Sequence, residues 1–250
     1  MGMVLSVVKL KTFDMKVFIS FLLILEASLS FAQSKNEVII VMVEDDRVEL
    51  LKSLRFLQSL KPKILVIDAN LECRQGDIDI QIADELATIE NLLLSSEVVP
   101  FGNAAYRDII ACSYLYPEGV QTGFTNVIED YSTAKLIAKL QLRNTYKSKT
   151  SYHIAAKIAE ALDCQRTNEF LRAHGDTLSI QLAQPRRIPH YGFEDVMKGK
   201  LNGVVSGNTI VILSNFPRDM FLVREGSMGK FISMSPAEIY VNVAFEMIGR

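Results

Sequence analysis

The chain has 250 residues, 49% of them hydrophobic and 22% charged, within the range of an ordinary globular protein. A formal charge of −2 at pH 7 lacks the basic excess of a nucleic-acid footprint, and three cysteines do not make a disulfide scaffold. A chain of this length can bury a core of its own, and its composition excludes collagen-like, coiled-coil and low-complexity organisation.

The N-terminal segment departs from that composition. Lys16 precedes an apolar run over 17–25, and small residues stand at Ser30 and Ala32. Residues 1–32 read as a secretory signal cut between Ala32 and Gln33, with Met15 opening the compact signal and 1–14 preceding it. A membrane span takes about 20 apolar residues, and Glu26 ends this run well short of that. An uncleaved N-terminal anchor is the alternative. No cysteine stands at the cut to carry a lipid, and no later stretch is long and apolar enough to cross a bilayer. The mature chain, 33–250, is expected to be soluble and periplasmic or secreted. There Cys73, Cys112 and Cys164 read as buried thiols, with one disulfide and one spare thiol as the alternative.

The continuous apolar run over 37–43 predicts a strand buried on both faces. Asp46 then caps a helix, with Glu49 as its capping-box partner and Val48, Leu50, Leu51, Leu54 and Leu57 along the buried stripe, stopped by Pro62. A second buried strand covers 63–68. A second helix runs from about 78 to 95, with Ile82, Leu86, Ile89 and Leu93 in register. Strand, helix, strand, helix in this order predicts parallel crossovers with helices over the sheet.

Short strand candidates follow over 98–101, 109–114 and 123–127, then a half-exposed strand over 135–143. Ser151 caps a helix with Ile154, Ala155, Ile158, Ala159 and Leu162 on one face, and 163–176 is a loop or a short helix. A strand covers 178–182, a short helix closed by Gly199 covers 193–199, and a third central strand covers 209–213. Residues 216–234 read as a long connection. Ser235, Pro236 and Glu238 open the last helix, which buries Ile239, Val243 and Met247. Neither a repeat nor an interdomain linker appears. The fold expected is one three-layer α/β domain, its central sheet mostly parallel or mixed and flanked by helices.

Acidic residues gather where the parallel strands should end: Glu44, Asp45 and Asp46 after the first, Asp68, Asn70 and Glu72 after the second, and Asp219 beyond the third. Ligands of open α/β sheets bind outside these ends. Asp45, Asp46, Asp68 and Asp219 are therefore the candidate ligand-binding residues, able to accept hydrogen bonds from a polar ligand or to hold a hard cation. His153, His174 and His190 lack zinc-site spacing, and there is neither a Gly-x-Ser-x-Gly elbow nor a phosphate-binding glycine loop. Arg186–Arg187 is a small basic spot. No catalytic residue, cofactor or metal is assigned from the residues.

The order of the pieces resembles the type-2 CHASE (CHASE-2) domain, an extracellular sensory module of bacterial cyclases, histidine kinases and related receptors. The likeness is carried by 38–41 with Asp45–Asp46, the strand end Ile67–Asp68, and Asp84–Glu85 in the second helix. It continues through Gly123-Phe124-Thr125-Asn126-Val127 with Asp130 and the helix over 151–162. It is clearest through Ile188–Pro189, 193–199, 205–213, Asp219 and Ala237-Glu238-Ile239-Tyr240-Val241-Asn242. It spans about 37–248. Tyr240 stands where a histidine is common, Ser214–Asn215 where a glycine is expected, and Arg47–Phe56 replaces a tryptophan- and proline-rich arginine motif. The resemblance implies non-enzymatic sensing of a small-molecule ligand. With no membrane spans or output module following, it implies a secreted relative that presents a ligand or state to an envelope protein partner. Two other functions fit the residues: a metal-assisted hydrolase using the strand-end carboxylates, and a scaffold or interaction subunit of an envelope complex.

Overall fold

In the computed structural model, β1 (Val38–Val43) is buried along its whole length. Ile39, Val41 and Val43 join one apolar layer, and Val38, Ile40 and Met42 join the other. A strand of this kind needs cover on both faces, and the rest of the chain supplies it. The structure describes residues 37–250 apart from 70, 73–75, 102–104, 110–111, 131–135, 216–219 and 227–229. Residues 1–32, expected to be a secretory signal, and Asn70, Cys73 and Asp219 lie outside the described residues.

Helix α1 (Arg47–Ser59) starts at Asp46, whose Oδ1 accepts from the N–H groups of Val48 and Glu49 at 2.7 and 3.0 Å. The expected capping box does not form, because Glu49 accepts from the N–H of Glu44 instead. Val48 is 49% exposed, and Arg47 takes the buried place beside Leu50, Leu51, Leu54 and Leu57. After β2 (Ile64–Asp68), helix α2 (Asp77–Ala87) ends well before residue 95. The reason is β3 (Leu92–Phe101): Leu92 and Leu94 fill one apolar layer and Leu93 the other, which a strand achieves and a helix does not.

The first part of β3 runs parallel to β2 and to β5 (Gln121–Phe124), and its distal part pairs antiparallel with β4 (Ala105–Ile109). From β11 (His190–Gly192) through β1, β12 (Ile210–Asn215), β2 and β3 to β5, every neighbouring pair is parallel. Helices α1, α2 and α5 (Phe193–Met197) cover one face of this sheet. Helices α3 (Ile154–Leu162) and α6 (Pro236–Met247) cover the other. The fold is the three-layer α/β arrangement expected, and Asn36–Arg250 forms one compact unit.

The middle of the chain adds a second sheet in the order β10 (Thr177–Ser179), β7 (Leu136–Gln141), β13 (Phe221–Glu225), β14 (Lys230–Met234), with β6 (Val127–Asp130) also on β7. The hairpin β13–β14 occupies the stretch expected to be a long connection. Leu140, Ile180, Leu182, Val223 and Met234 extend the layer that holds α3 and α6. Helix α6 is consequently apolar and buried nearly all round, beyond the single face expected. Its start is as the sequence predicts, with Ser235 and Glu238 capping each other reciprocally. Ser151 does not cap α3. It lies in β9 (Lys149–Tyr152), which pairs with β8 (Arg143–Tyr146), and the cap is His153. Residues 164–174 form a full helix, α4 (Cys164–His174). Cys112 is disulfide-bonded, and Cys164 is free and exposed. This corrects the reading of three buried thiols in favour of one bridge and a spare thiol.

One ion pair ties the carboxyl edge of the sheet together. Arg47 Nε lies 3.3 Å from Asp79 Oδ1, with the two side chains 6% and 1% exposed, and Arg47 also donates to the Glu72 carbonyl. Removing one partner of a buried pair leaves the other uncompensated. Asp79→Ala should destabilise by about 3–5 kcal/mol in urea unfolding, while Arg47→Met with Asp79→Leu should recover most of that loss. A double variant no more stable than Asp79→Ala would contradict this account.

Candidate ligand-binding site

At the carboxyl edge the apolar surface of the sheet gives way to small and polar residues. On the face beneath α3 and α6, the row of Ile40, Ile212, Val66 and Leu93 is aliphatic. The next row outward reads Gly192, Met42, Ser214 and Asp68 across β11, β1, β12 and β2. The register that pairs Ile67 with Leu94 places Ser95 next along, and Ser95 pairs with Gly123 on β5. A Cβ at Gly123 would stand 2.8 Å from the Ile154 Cα, so glycine is what lets α3 begin directly on this edge.

Asp68 occupies the middle of the row. Strand alternation directs it to the same face as Val66, toward α6. Among the described residues no hydrogen bond or ion pair reaches its carboxyl. Burial pushes its pKa from the ordinary 3.8 up to about 7. Tyr240 of α6 is near enough to feel the charge: burial first, and then the Asp68 carboxylate, raise its pKa well above the ordinary value. The Tyr240 hydroxyl donates to the Thr125 carbonyl at 3.3 Å. The His153 ring meets the rings of Tyr240 and Phe124 edge-on, with centroids 5.3 and 5.4 Å away. His153 Nδ1 accepts from the Ala155 N–H at 3.1 Å, so in the neutral ring the proton sits on Nε2. Burial drives its pKa down to about 3, against partial support from the Asn126 and Thr125 backbone.

Of the four predicted carboxylates, Asp45, Asp46 and Asp68 are described, and they do not form a group that could hold a metal ion. Asp45 and Asp46 are exposed beyond β1, where Asp46 is engaged as a cap and opens α1 over the opposite face of the sheet. Asp219 lies outside the described residues. Among the described residues no group of three or more His, Cys, Asp or Glu could hold a metal ion. Asp68 instead lies beside Ser214 in the strand register and within electrostatic reach of Tyr240, neither of which the sequence marks as a site residue. Ser214 follows directly on the apolar run of β12, and Tyr240 is one of the buried residues of α6.

A cavity of about 320 Å³ opens at the other end of the same row, walled by Met42, Tyr191, Met220, Ser235, His190 and Glu238. His190 Nε2 stands 3.4 Å from Glu238 Oε1 on that wall. Cavities of about 280 and 480 Å³ lie at the amino-terminal edge, around Ile64, Asn91 and Lys63. The carboxyl edge is favoured because ligands of such sheets sit there and because the displaced ionisations cluster there.

Several polar residues of the unit hold backbone segments in place. Asn126 clamps the backbone of Val98 with both ends of its amide, at 2.6 and 3.0 Å. Asn242 does the same to Arg186, at 2.6 and 3.3 Å. Asp195 accepts from the Gly192 N–H and from Lys200. No protein-family model, curated protein or solved structure gives a match to this chain. What the fold and site define is a three-layer α/β domain with a polar strand-end site.

Asp68 and His153 make opposite contributions to pH dependence. Asp68 in the folded chain holds its proton up to about 7, whereas the unfolded chain loses it near 3.8, so stability falls as pH rises through that window and then levels. At about 1.4 kcal/mol per pH unit, the ionised carboxyl costs up to about 4 kcal/mol. His153 refuses its proton down to about 3 when folded, while the unfolded ring takes it near 6.5, so stability falls as pH drops through that window. Asp68→Asn should therefore raise stability at pH 8 by roughly 2–4 kcal/mol and change little at pH 4. It should also expose an acid loss starting near 6.5 that wild type masks. Urea unfolding across pH tests this; a variant less stable than wild type at pH 8 would show that Asp68 is paired.

Proposed function

We propose that this chain is an extracytoplasmic sensory domain of the CHASE-2 kind, which binds a small ligand at the carboxyl edge of its central sheet without transforming it. The observation that carries the reading is Asp68, a carboxyl group held in a desolvated position with no partner among the described residues. A buried polar group left unsatisfied costs stability, and such costs persist where a ligand supplies what is missing. The fold supports the reading through its parallel sheet and strand-end site. The disulfide at Cys112 suits an oxidising compartment, as the signal-like N-terminus does.

The chemistry around Asp68 favours binding over turnover. His153 is committed to capping α3, and its ring stays neutral far below pH 7. Tyr240 keeps its proton far above neutrality. Neither group is poised for proton transfer near pH 7, where general acid–base catalysis needs one. The hydrolase alternative needs its carboxylates side by side, and Asp46 is committed to capping α1.

Thermal melting of the protein against a panel of metabolites and divalent cations tests the proposal. A ligand at 100 times its Kd adds about 2.7 kcal/mol, roughly 5–10 °C for a chain of this size. The expected result is a selective shift that disappears in Asp68→Ala, each variant being compared with its own unliganded melt. A shift retained in Asp68→Ala would move the site elsewhere. A flat panel, together with an envelope protein that co-purifies, would favour the scaffold reading.

A further inference from the structure

The cavity beside β11 lies on one face of the sheet and has walls of two kinds. Alternation along β11 and β1 puts His190, Gly192 and Met42 on the same side, since Ile40 pairs with His190 and Met42 with Gly192. Helix α6 begins at that side, where Ser235 and Glu238 also line the cavity. Met42 and Met220 supply apolar wall. The polar wall is held in place: Glu238 Oε2 accepts from the Ser235 N–H and hydroxyl at 2.8 and 2.9 Å, and His190 Nε2 stands 3.4 Å from Oε1. A carboxylate oxygen takes more than one donor, so Oε1 can accept another.

Gly192 keeps the space open. Its φ of −85° and ψ of 169° are extended backbone that any residue adopts, and a Cβ built on it meets no atom within 4 Å. Neither strain nor crowding calls for glycine here, in contrast to Gly123. A side chain at 192 would take up the room beside Met42. A volume of about 320 Å³ is near the lower bound of ligand pockets, roughly 300–1,000 Å³, so the guest is small. Thioethers favour an aromatic guest, the sulfur packing against its ring. The Glu238 carboxylate selects a ligand with a hydrogen-bond donor and repels an anion. We propose that this cavity binds a small aromatic molecule bearing one N–H or O–H donor, an indole or a phenol, with its ring against Met42 and Met220 and its donor on Glu238 Oε1. The site stands on the cavity and its walls and does not involve Asp68, which lies three strands along the row from Gly192.

The chain has no tryptophan, so the fluorescence of added indole reads its own binding to the protein. Indole should bind saturably and at least about tenfold more tightly than N-methylindole, which lacks the donor, as a hydrogen bond to a charged acceptor requires. Phenol should displace it, and cyclohexanol and benzoate at the same concentration should not. Gly192→Thr and Gly192→Leu narrow the cavity and should weaken indole binding, leucine the more. Threonine starts a helix about as well as glycine, so Gly192→Thr should keep the wild-type melting temperature. Met220→Ala should also weaken indole, and Asp68→Ala should leave it unchanged. Indole bound equally well by Gly192→Leu, or no better than N-methylindole or cyclohexanol, would overturn the proposal, as would the absence of saturable binding. Indole binding lost in Asp68→Ala would overturn it too, by moving the aromatic site to the end of β2.

Discussion

A parallel strand covered on both faces tolerates a carboxyl group only near its end, where the layers thin toward solvent. Asp68 sits at that end of β2, and the rest of the unit is arranged around the same limit. The strands inside it carry Ile39, Val41, Leu65, Ile67, Val211 and Leu213, all fully buried. Each such side chain contributes about 1.5–3 kcal/mol, so the central sheet outweighs several times over the roughly 4 kcal/mol that an ionised Asp68 costs. The fold can therefore hold one carboxyl against the cost of its desolvation without losing its own stability.

The elements that build this edge are fixed by polar residues acting on backbone. Asp46 and His153 start the helices on opposite faces, and Asn126 and Asn242 clamp neighbouring segments. Gly123 allows α3 to begin against β5.

The central strands and the last helix were legible in the sequence because their signals are local: continuous apolar runs for β1, β2 and β12, and a cap, proline and glutamate for α6. The misreadings fall where tertiary burial overrides local pattern. Leu93 matches a helical register with Ile82 and Leu86, yet a sheet with both faces covered claims it and its neighbours as β3. Val48 fits the α1 stripe by spacing, but the buried Arg47–Asp79 pair occupies the turn it would have filled. Hairpin β13–β14 lies in a stretch too charged for its alternation to stand out. At the site, Asp68 was legible as a strand-end carboxylate. The approach of Tyr240 to it was not, because the two lie far apart along the chain.

Ligand binding at the β2 end of this edge depends on the state of one carboxyl group. A carbon-13 NMR titration of the side-chain carboxyls, with the Asp68 signal assigned by its loss in Asp68→Asn, reads that state directly. The account predicts a midpoint near 7 in the unliganded protein. A midpoint at or below the ordinary aspartate value of 3.8 would mean that Asp68 already has a partner, and would remove the basis for a ligand site at the end of β2.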